Sequence, residues 1–216
     1  MIGRRVAYFP DEGWVNPARL VAALLSTARA SGAQLRPHCA AVGMSMTGGR
    51  IDGVRTSDGE TVGTDAVVNC AGPGAGEVAA LAGVDLPMRN TAGLLAYTAA
   101  TAVAVGRVIP GAAEAMLHLA QELYPGLRGS KVEASRIGVR PIPIDRLPVL
   151  GRSATVENFH FAVTHSGVTL CLRVAELVGA NVRGELVEEL APFGHSRLDA
   201  RQPPAMSADY ETRTES

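Results

Sequence analysis

An apolar run that ends in a cluster of glycines occupies residues 66–76, with the sequence Ala66-Val67-Val68-Asn69-Cys70-Ala71-Gly72-Pro73-Gly74-Ala75-Gly76. The run predicts a parallel strand buried on both faces, and the glycines predict a tight turn into a helix over residues 77–82. Bare backbone N–H groups at such a turn, together with the helix dipole, suit a nucleotide phosphate. The fingerprint G-x-G-x-x-G fails at Glu77, however, so a tight turn without a ligand stays open.

A second glycine turn follows a predicted strand at residues 159–163 and precedes a helix predicted over residues 168–182. Its sequence is Thr164-His165-Ser166-Gly167-Val168-Thr169-Leu170. Ser166 is predicted to cap the helix, and Gly167 lets a ligand approach N–H groups that favour negative charge. His165 is either a base or, as is commoner at such a junction, a structural hydrogen-bonding residue. Ser166 is a poor candidate nucleophile, because it lacks the G-x-S-x-G turn and a placed acidic partner.

The third segment places an arginine before a proline at the end of a strand predicted over residues 132–139. Its sequence is Arg136-Ile137-Gly138-Val139-Arg140-Pro141-Ile142-Pro143-Ile144-Asp145. Pro141 fixes the direction of the backbone, and the planar guanidinium of Arg140 suits a carboxylate. The alternative is that Arg140 is held by a nearby acid such as Asp145. The residues alone leave both possibilities open.

The remaining pattern mixes helices with strands, some adjacent and some joined by crossovers. Asn16 and Pro17 are predicted to begin a helix over residues 15–31 that ends at Gly32. Two strands, at 42–46 and 51–56, are joined by a turn into an antiparallel hairpin. Further predicted elements are strands at 33–36 and 86–98 and a helix at 112–123. This order predicts an α/β fold with α+β character.

Composition places the chain among globular proteins with little net charge. The 216 residues are 47% hydrophobic and 19% charged, with a net charge of −1, so neither nucleic acid nor an anionic membrane is an expected partner. The longest apolar stretch, residues 92–105, is shorter than a bilayer span needs, and no secretory signal is recognised. Cys39, Cys70 and Cys171 form no CxxC pair, which predicts buried structural thiols, no metal site and a cytoplasmic location.

Taken in order, these segments resemble the FAD-dependent oxidoreductases of the D-amino-acid oxidase, glycine oxidase and sarcosine oxidase family. The longest matches are residues 138–151, which are similar to "G-x-R-P-x-x-x-D-x-x-P-x-x-G", and residues 165–170, which are similar to "H-S-G-x-T-L". Residues 67–72 correspond to "V-V-x-A-A-G". Shorter matches lie at residues 11–17, 32–42 and 51–59. The order and direction of the matches carry the resemblance.

The resemblance implies a role for each segment. Arg140 would bind the carboxylate of an amine or amino-acid substrate. The substrate would transfer a hydride to flavin N5. The family does not share one catalytic base, so no residue is assigned that role. FAD would be held noncovalently, because the family's covalent attachment uses a cysteine near the "R-P" region and none lies between Lys131 and Phe159. The residues implied to bind FAD are Val42, at the adenine, and Ala71, Gly72, Gly138, His165, Ser166, Gly167, Val168, Thr169 and Leu170.

Two departures from the family pattern shape the expected architecture. The sequence contains no strand with a G-x-G-x-x-G turn and no acidic residue after it for the ribose, and a second gap falls between Thr101 and Gly111. We therefore expect an incomplete FAD-binding Rossmann-like domain with part of an antiparallel substrate-binding sheet. The expected segments are 1–85, a partial FAD-binding domain with a β-hairpin insertion; 86–140, a shortened substrate-binding region; 141–198, a C-terminal FAD-binding segment; and 199–216, a disordered tail.

These departures also have consequences for stability and cofactor binding. Val67 and Val68 are expected on an exposed sheet edge. The chain purified alone is expected to bind FAD weakly or not at all, and a flavin spectrum that survives gel filtration would contradict this. Tight binding of FAD would thus depend on the G-x-G-x-x-G turn and the ribose-binding acid, which the family places before the segments matched here.

Three hypotheses about function follow. The first is an FAD-dependent oxidoreductase that acts on the CH–NH group of an amino acid or secondary amine. The second is a non-catalytic remnant, or a subunit that obtains the missing dinucleotide-binding half from a partner chain. The expected assembly is with a partner chain or as a homo-oligomer. The third is a nucleotide or S-adenosylmethionine binder that uses residues 72–76, although the following stretch, 86–89, offers no acidic residue for a ribose.

Overall fold

The computed structural model describes Gly13, residues 15–99 and residues 113–199, and the chain divides into two units. Unit 1 comprises residues 1–35 and 93–138, and unit 2 comprises residues 36–92 and 139–216. The described helices are α1 (Pro17–Ala30), α2 (Ala75–Ala80), α3 (Ala113–Leu123), α4 (Gly167–Val182) and α5 (Ser196–Asp199). The described strands are β1 (Ala41–Thr47), β2 (Arg50–Thr56), β3 (Thr61–Gly63), β4 (Val67–Asn69), β5 (Thr91–Thr98), β6 (Val132–Arg140), β7 (Val149–Arg152) and β8 (Phe159–Val163).

This order of helices and strands confirms the predicted fold class, α/β with α+β character. The four segments expected from the sequence stay a prediction. Asp199, the first residue of the expected disordered tail, is the last residue of α5, and residues 200–216 lie outside the described residues. The second gap expected between Thr101 and Gly111 also lies outside them.

The first sheet of unit 2 is the predicted hairpin with a third strand, in the order β1-β2-β3. Gly48 and Gly49 make the turn with φ values of +60° and +81°, a conformation that favours glycine. A register shift between Ala41 and Gly43 leaves Val42 out of the ladder as a β-bulge. The hairpin prediction is confirmed, and the bulge is a feature that the periodicity did not indicate.

The second sheet of unit 2 has the order β4-β8-β7, with β4 parallel to β8 and β7 antiparallel to it. Within the described residues β4 is therefore an edge strand, as expected. The prediction that this strand is buried on both faces is wrong, because Val68 is 40% exposed whereas Val67 packs against the core. Successive side chains of a strand point to opposite faces of the sheet, and in the described structure the face of Val67 packs against the core whereas the face of Val68 does not.

A buried asparagine joins the two sheets of unit 2. The side chain of Asn158 accepts a hydrogen bond from the backbone N–H of Ile51 (2.9 Å) and donates to the carbonyls of Ile51 (2.7 Å) and Asp65 (3.0 Å). Ile51 lies in β2, and Asn158 directly precedes β8. Backbone groups that no strand pairs are thereby satisfied within the core.

Unit 1 contains α1, α3 and the two-stranded sheet β5-β6. The side chain of Asn16 caps α1 by accepting from the N–H of Arg19 at 3.1 Å, as predicted. The strand predicted at residues 33–36 is wrong: the N–H of Ala33 donates to Ala28 O, and Gly32 has φ +92°. These residues close the last turn of the helix instead of extending, which is the geometry of a glycine C-terminal cap.

The predicted strand over residues 86–98 is confirmed only in its second half, where β5 begins at Thr91. Residues 87–89 form an isolated antiparallel bridge with residues 142–144 instead, centred on the pair Met88 and Pro143. Pro143 within the partner segment and Pro141 just before it lack the N–H groups that a regular ladder needs.

The prediction of buried structural thiols is wrong. Cys70 is exposed, Cys39 and Cys171 are partly exposed, and all three are free. Cys70 follows the edge strand β4, and Cys171 lies on the uncovered first half of α4, so neither position has a packed layer above it. In the described part of the chain, no helix is long and apolar enough to cross a membrane, and no cluster of three metal-ligating side chains is found.

Candidate functional site

Two glycine turns lie side by side at the carboxyl end of the second sheet. β4 and β8 run parallel, with Val67 opposite Phe159 and Asn69 opposite Phe161. The carboxyl ends of both strands therefore lie at the same edge, and each strand leads directly into one of the turns singled out in the sequence. Ligands of open α/β sheets bind in the crevice outside the carboxyl ends of such strands.

The first turn is held by Asn69, which is 2% exposed. Its side-chain amide donates to the carbonyl of Ala75 at 2.8 Å, and its carbonyl accepts from the N–H of Ala71 at 3.1 Å. Gly72 follows with φ +57° and with no atom within 4 Å of the position that a Cβ would occupy. The turn thus brings bare backbone to an open surface, as a closely bound ligand requires.

The helix after this turn differs from the prediction. A short 3₁₀ turn at Gly72–Gly74 leads into α2, which begins at Ala75 rather than at Glu77. Ala75 and Ala79 are fully buried, so the small residues pack the helix against the core. With six residues, α2 has too small a dipole to hold an anion by itself.

The second turn leads into α4, whose first residue is Gly167. Ser166 occupies the N-cap position, but the prediction that its side chain caps the helix is wrong, because its hydroxyl pairs with Nδ1 of His165 at 3.1 Å. The backbone N–H of Ser166 donates to the hydroxyl of Thr164 at 3.1 Å. The first-turn N–H groups of α4 consequently have no side-chain acceptor.

The electrostatics of α4 favour an anion at its N-terminus. The helix has 16 residues, its first turn contains no acidic side chain, and the side chains of residues 167–170 are exposed. The aligned peptide dipoles place about half a positive charge at this end. An electron-rich group placed there would meet free N–H donors from Gly167, Val168 and Thr169.

Arg140 is the last residue of β6 and is exposed. Its side chain forms no hydrogen bond or ion pair with any described residue, so the alternative that Asp145 holds it is wrong. Asp145 pairs with Arg197 instead, at 2.6 Å between Oδ2 and Nε. Burial alone would raise the pKa of Asp145, but the hydrogen bonds from Arg197 lower it below its ordinary value. Arg140 is therefore left available for a ligand.

Backbone pairing connects the strand end at Arg140 with the first glycine turn. The N–H of Arg89 donates to Ile142 O at 2.6 Å, two residues after Arg140, and the side chain of Asn90 donates to Pro73 O at 2.9 Å. Gly76 also packs closely on this segment, because a Cβ there would lie 3.0 Å from Leu86 O. Within unit 2, the structure thus connects the first glycine turn with the segment that follows Arg140.

Comparison with known proteins identifies the family. Residues 3–108 and 96–180 match the family model DAO, described as "FAD dependent oxidoreductase". The chain belongs to this family. The chain is 26% identical to the hydrogen cyanide synthase subunit HcnC of Pseudomonas aeruginosa, over 85% of the chain and 52% of that protein. It is 24% identical to an opine oxidase subunit of Agrobacterium tumefaciens, over 90% of the chain and 60% of that protein.

A solved structure shows the same fold. Glycine oxidase from Geobacillus kaustophilus superposes with a TM-score of 0.70 at 24% identity, over 82% of the chain and 57% of that structure. The chain thus spans between half and three fifths of the length of these DAO proteins. The family match confirms the resemblance found in the sequence, and the family's cofactor is FAD.

The residues implied to bind FAD do not all lie together. Ala71, Gly72 and the stretch from His165 to Leu170 meet at the common edge of β4 and β8. Val42 lies in the bulge of β1, in the other sheet of unit 2. Gly138 belongs to unit 1, where a Cβ on it would lie 3.9 Å from the carbonyl oxygen of Gly93 in the β5-β6 sheet.

Cys70 lies at the start of the first glycine turn, between Asn69 and Ala71. The residue is exposed, yet the atoms around the sulfur desolvate it and raise the pKa of its thiol. A raised pKa keeps the thiol protonated at neutral pH and makes it a poor nucleophile. Cys70 therefore offers no reactive thiolate to a cofactor at this turn.

Several residues that build the site carried no usable signal in the sequence. Asn69 interrupts an apolar run, which is a sign of a buried polar role, but its partners two and six residues later depend on the turn. Asn90 and Arg197 act across 17 and 52 residues. Hydrogen bonds between residues so far apart in the sequence depend on tertiary packing, and the periodicity of the sequence does not predict them.

Proposed function

We propose that this chain contributes the flavin-facing and substrate-facing parts of an oxidoreductase that acts on the CH–NH group of an amino acid or secondary amine. The observation that carries the proposal is the pair of glycine turns at neighbouring carboxyl ends, one of which opens onto the uncapped N-terminus of α4. When bound, FAD supplies the acceptor for a hydride from the amine-bearing carbon. Everything else is done by side chains and backbone of the protein.

The N-terminus of α4 would stabilise negative charge on the flavin. The amides of Gly167, Val168 and Thr169 lack side-chain acceptors, and their donors are fixed by the helix before any ligand arrives. Such preorganised donors favour electron density on the pyrimidine edge of the flavin, which becomes anionic on reduction. Gly72 would let the ring system approach the neighbouring turn without steric conflict.

Arg140 would select substrates that carry a carboxylate. Its guanidinium is unpaired among the described residues, and Pro141 directs the strand that presents it. A planar guanidinium binds a carboxylate through two parallel hydrogen bonds, which fixes orientation as well as position. Glycine oxidase, which shares the fold, is named for a substrate of this class.

We further propose that a second chain completes the protein. Two of the curated relatives are named as subunits, one of hydrogen cyanide synthase and one of opine oxidase. β4 is an open sheet edge in the described structure, which suits addition of a strand from another chain. A partner that carries G-x-G-x-x-G would supply the pyrophosphate site. The free cysteines favour a cytoplasmic location, where thiols stay reduced.

Titration with FAD tests the role of α4. Val168 is exposed in the first turn, and Val168→Glu places a carboxylate there, which stabilises the helix but opposes an electron-rich ligand. Val168→Gln is the matched neutral control. We expect Val168→Glu to weaken FAD binding about threefold relative to Val168→Gln, as followed by the absorbance of the flavin. Equal affinities in the two variants would contradict placement of the flavin at this helix.

A pull-down distinguishes the partner from the remnant. The tagged chain is co-expressed with the product of a neighbouring reading frame that encodes G-x-G-x-x-G. Co-purification with bound FAD supports a two-chain oxidoreductase. A chain that stays alone and leaves the FAD spectrum unchanged at millimolar FAD would favour a non-catalytic remnant.

A further inference from the structure

We infer that residues 193–198, which we name the C-terminal clasp, position Arg140 for its carboxylate ligand. The inference rests on the proposed function, since it assigns positioning residues to that site. Arg197 and His195 are these residues. Neither is expected to touch substrate or FAD, and each grips a segment that leads to the strand end at Arg140.

Arg197 uses all five of its N–H donors. Nε and Nη2 donate to the carboxylate of Asp145 at 2.6 and 3.1 Å, and Nη2 also donates to the carbonyl of Leu147 at 3.1 Å. Nη1 donates to the carbonyls of Phe193 and Gly194 at 2.7 and 2.9 Å. The side chains of Arg197 and Asp145 are 13% and 4% exposed. Such a saturated, enclosed pair fixes geometry far better than an exposed ion pair does.

His195 grips two other segments. It is 1% exposed and stacks on Phe161, with 5.0 Å between ring centres. Nδ1 accepts from the backbone N–H of Ala154 at 3.3 Å, so Nε2 carries the proton and donates to the carbonyl of Asp85 at 2.8 Å. Both ring nitrogens are thus used, and the tautomer is fixed by its partners.

The two grips fall at the same end of one short antiparallel pairing. Residues 86–89 pair with residues 142–144 through the Met88–Pro143 bridge, and the N–H of Ile144 donates to Pro87 O at 3.0 Å. His195 holds the first segment at Asp85, and Arg197 holds the second at Asp145. Because the pairing is antiparallel, the opposite end carries Asn90 beside Arg140 and Pro141.

This arrangement makes the clasp a fixed base for the strand end. Pro141 and Pro143 contribute no N–H groups, so the segment after Arg140 has few ladder bonds of its own. The two bonds that it does make, from Arg89 and Ile144, keep register only if both segments are held. A guanidinium that must meet a carboxylate in two parallel bonds tolerates little displacement of its backbone.

The test compares Arg197→Lys with Arg183→Lys by NMR on the full chain. Arg183 forms an exposed ion pair with Glu185 and is the matched control. Arg197→Lys is expected to shift and broaden the backbone and Nε–H signals of Arg140. It is also expected to speed amide exchange at Arg89 and Ile144 about tenfold, because local opening becomes easier. Arg183→Lys is expected to change neither.

Titration with sodium acetate then separates positioning from mere stability. Acetate is expected to perturb the Nε–H signal of Arg140, with an affinity about fivefold lower in Arg197→Lys, because small displacements of a positioned group are costly. Unchanged Arg140 signals and unchanged acetate affinity in Arg197→Lys would overturn the inference. Faster exchange at Arg89 with no change at Arg140 would also overturn it, since the clasp would then only stabilise the fold.

Two further variants keep the result interpretable. Asp145→Asn removes the charge but keeps an acceptor for Arg197, so it serves if Arg197→Lys does not fold, and the same changes at Arg140 are expected. Arg140→Lys tests the proposed function separately. Its readout is the backbone N–H signal of residue 140, because the Nε–H signal is lost with the guanidinium. An acetate response of this backbone signal that keeps the same affinity in Arg140→Lys refutes the carboxylate role of the Arg140 guanidinium, whereas the signals of Arg140 in Arg197→Lys still decide the clasp.

Discussion

The two units of the chain bury their apolar side chains to very different extents. Unit 2 has two apolar clusters, one centred on Phe159 and Phe161 and the other on Leu150 and Val178. In the described part of unit 1, Ala120 and Leu127 are the only buried apolar residues. α1 has an apolar stripe but no buried residue, and several large apolar side chains of β5 and β6 are exposed.

Among the described residues, this difference separates a unit with two packed apolar clusters from a unit with few buried apolar side chains. Burial of apolar surface is the main favourable contribution to folding, at about 25 cal/mol per Å². The glycine turns and Arg140 all belong to unit 2, where that contribution is large. Among the described residues, the helices and strands of unit 1 keep exposed apolar side chains, such as Leu24 in α1 and Leu95 in β5.

Truncation of the core is expected to have the largest effect. Phe161 is fully buried, with its ring 5.1 Å from that of Phe159. Phe161→Ala should lower the free energy of unfolding by about 3–5 kcal/mol, because it removes buried area and leaves a cavity. Leu25→Ala in α1, where Leu25 is 42% exposed, should change it by less than about 0.5 kcal/mol.

Urea unfolding followed by circular dichroism measures both values. If Leu25→Ala lowered the free energy of unfolding by several kcal/mol, the two units would not differ as described, since α1 would then be held by a packed core. A small effect of Phe161→Ala would mean that the cluster around it can collapse on the vacated space.

Removal of a buried side-chain amide is the next largest change. Asn158→Ala in unit 2 leaves the N–H and carbonyl of Ile51 without partners inside the core, and should cost about 2–3 kcal/mol. Gln121→Ala is the counterpart in unit 1, where the amide donates to Ser130 O at 2.9 Å in a half-buried place. There we expect about 0.5–1 kcal/mol, because water can replace the lost bond. Equal losses in urea unfolding would contradict the ranking.

The sequence predicted the parts of the fold whose signals are local. Gly48 and Gly49 between alternating strands indicated the hairpin, and the spacing of apolar residues indicated α4 to within one residue. The strand at residues 33–36 failed because a helix cap and a strand start share small and polar residues. The alternation of residues 86–90 also resembles a strand, but prolines in the partner segment restrict the pairing to a bridge.

The sequence predicted where the two glycine turns lie, but it did not predict the hydrogen bonds that hold the site residues in place. Ser166 and Gly167 mark the start of α4, yet the hydroxyl pairs with His165, a choice between two local acceptors that the sequence does not decide. Asp145 looked like a partner for Arg140 five residues earlier, and instead pairs with Arg197, 52 residues later. Only the folded chain brings Arg197 to that carboxylate.

The N-terminal caps of α1 in unit 1 and α4 in unit 2 provide a smaller test of the contrast between the units. The side chain of Asn16 caps α1, whereas the side chain of Ser166 does not cap α4. Asn16 accepts from the N–H of Arg19, so Asn16→Ala should destabilise α1 by about 1 kcal/mol. Ser166→Ala should cost α4 less than about 0.5 kcal/mol, since the hydroxyl does not cap and the helix packs through Val174 and Val178. Amide exchange at Arg19 and at Leu170 measures each helix separately. A larger loss in α4 would mean that Ser166 caps in solution.

The smallest expected effect concerns pH and again distinguishes the units. Burial lowers the pKa of His160 below its ordinary value of 6.5, which outweighs the opposite effect of its hydrogen bond to Asn181, and the charge of Arg152 lowers it further. Below pH 6.5 the unfolded chain therefore binds more protons at this site than the folded chain. The free energy of unfolding should thus fall as the pH is lowered from about 6.5 through the folded pKa, and this contribution vanishes above pH 6.5.

Removing the titrating group isolates that contribution. His160→Gln keeps a donor for Asn181 and should make the melting temperature less dependent on pH between 7 and 5. The lowered pKa of Asp145 acts only at more acidic pH, so it does not contribute to this window. If His160→Gln kept the full pH dependence of the melting temperature, His160 would be excluded as its source.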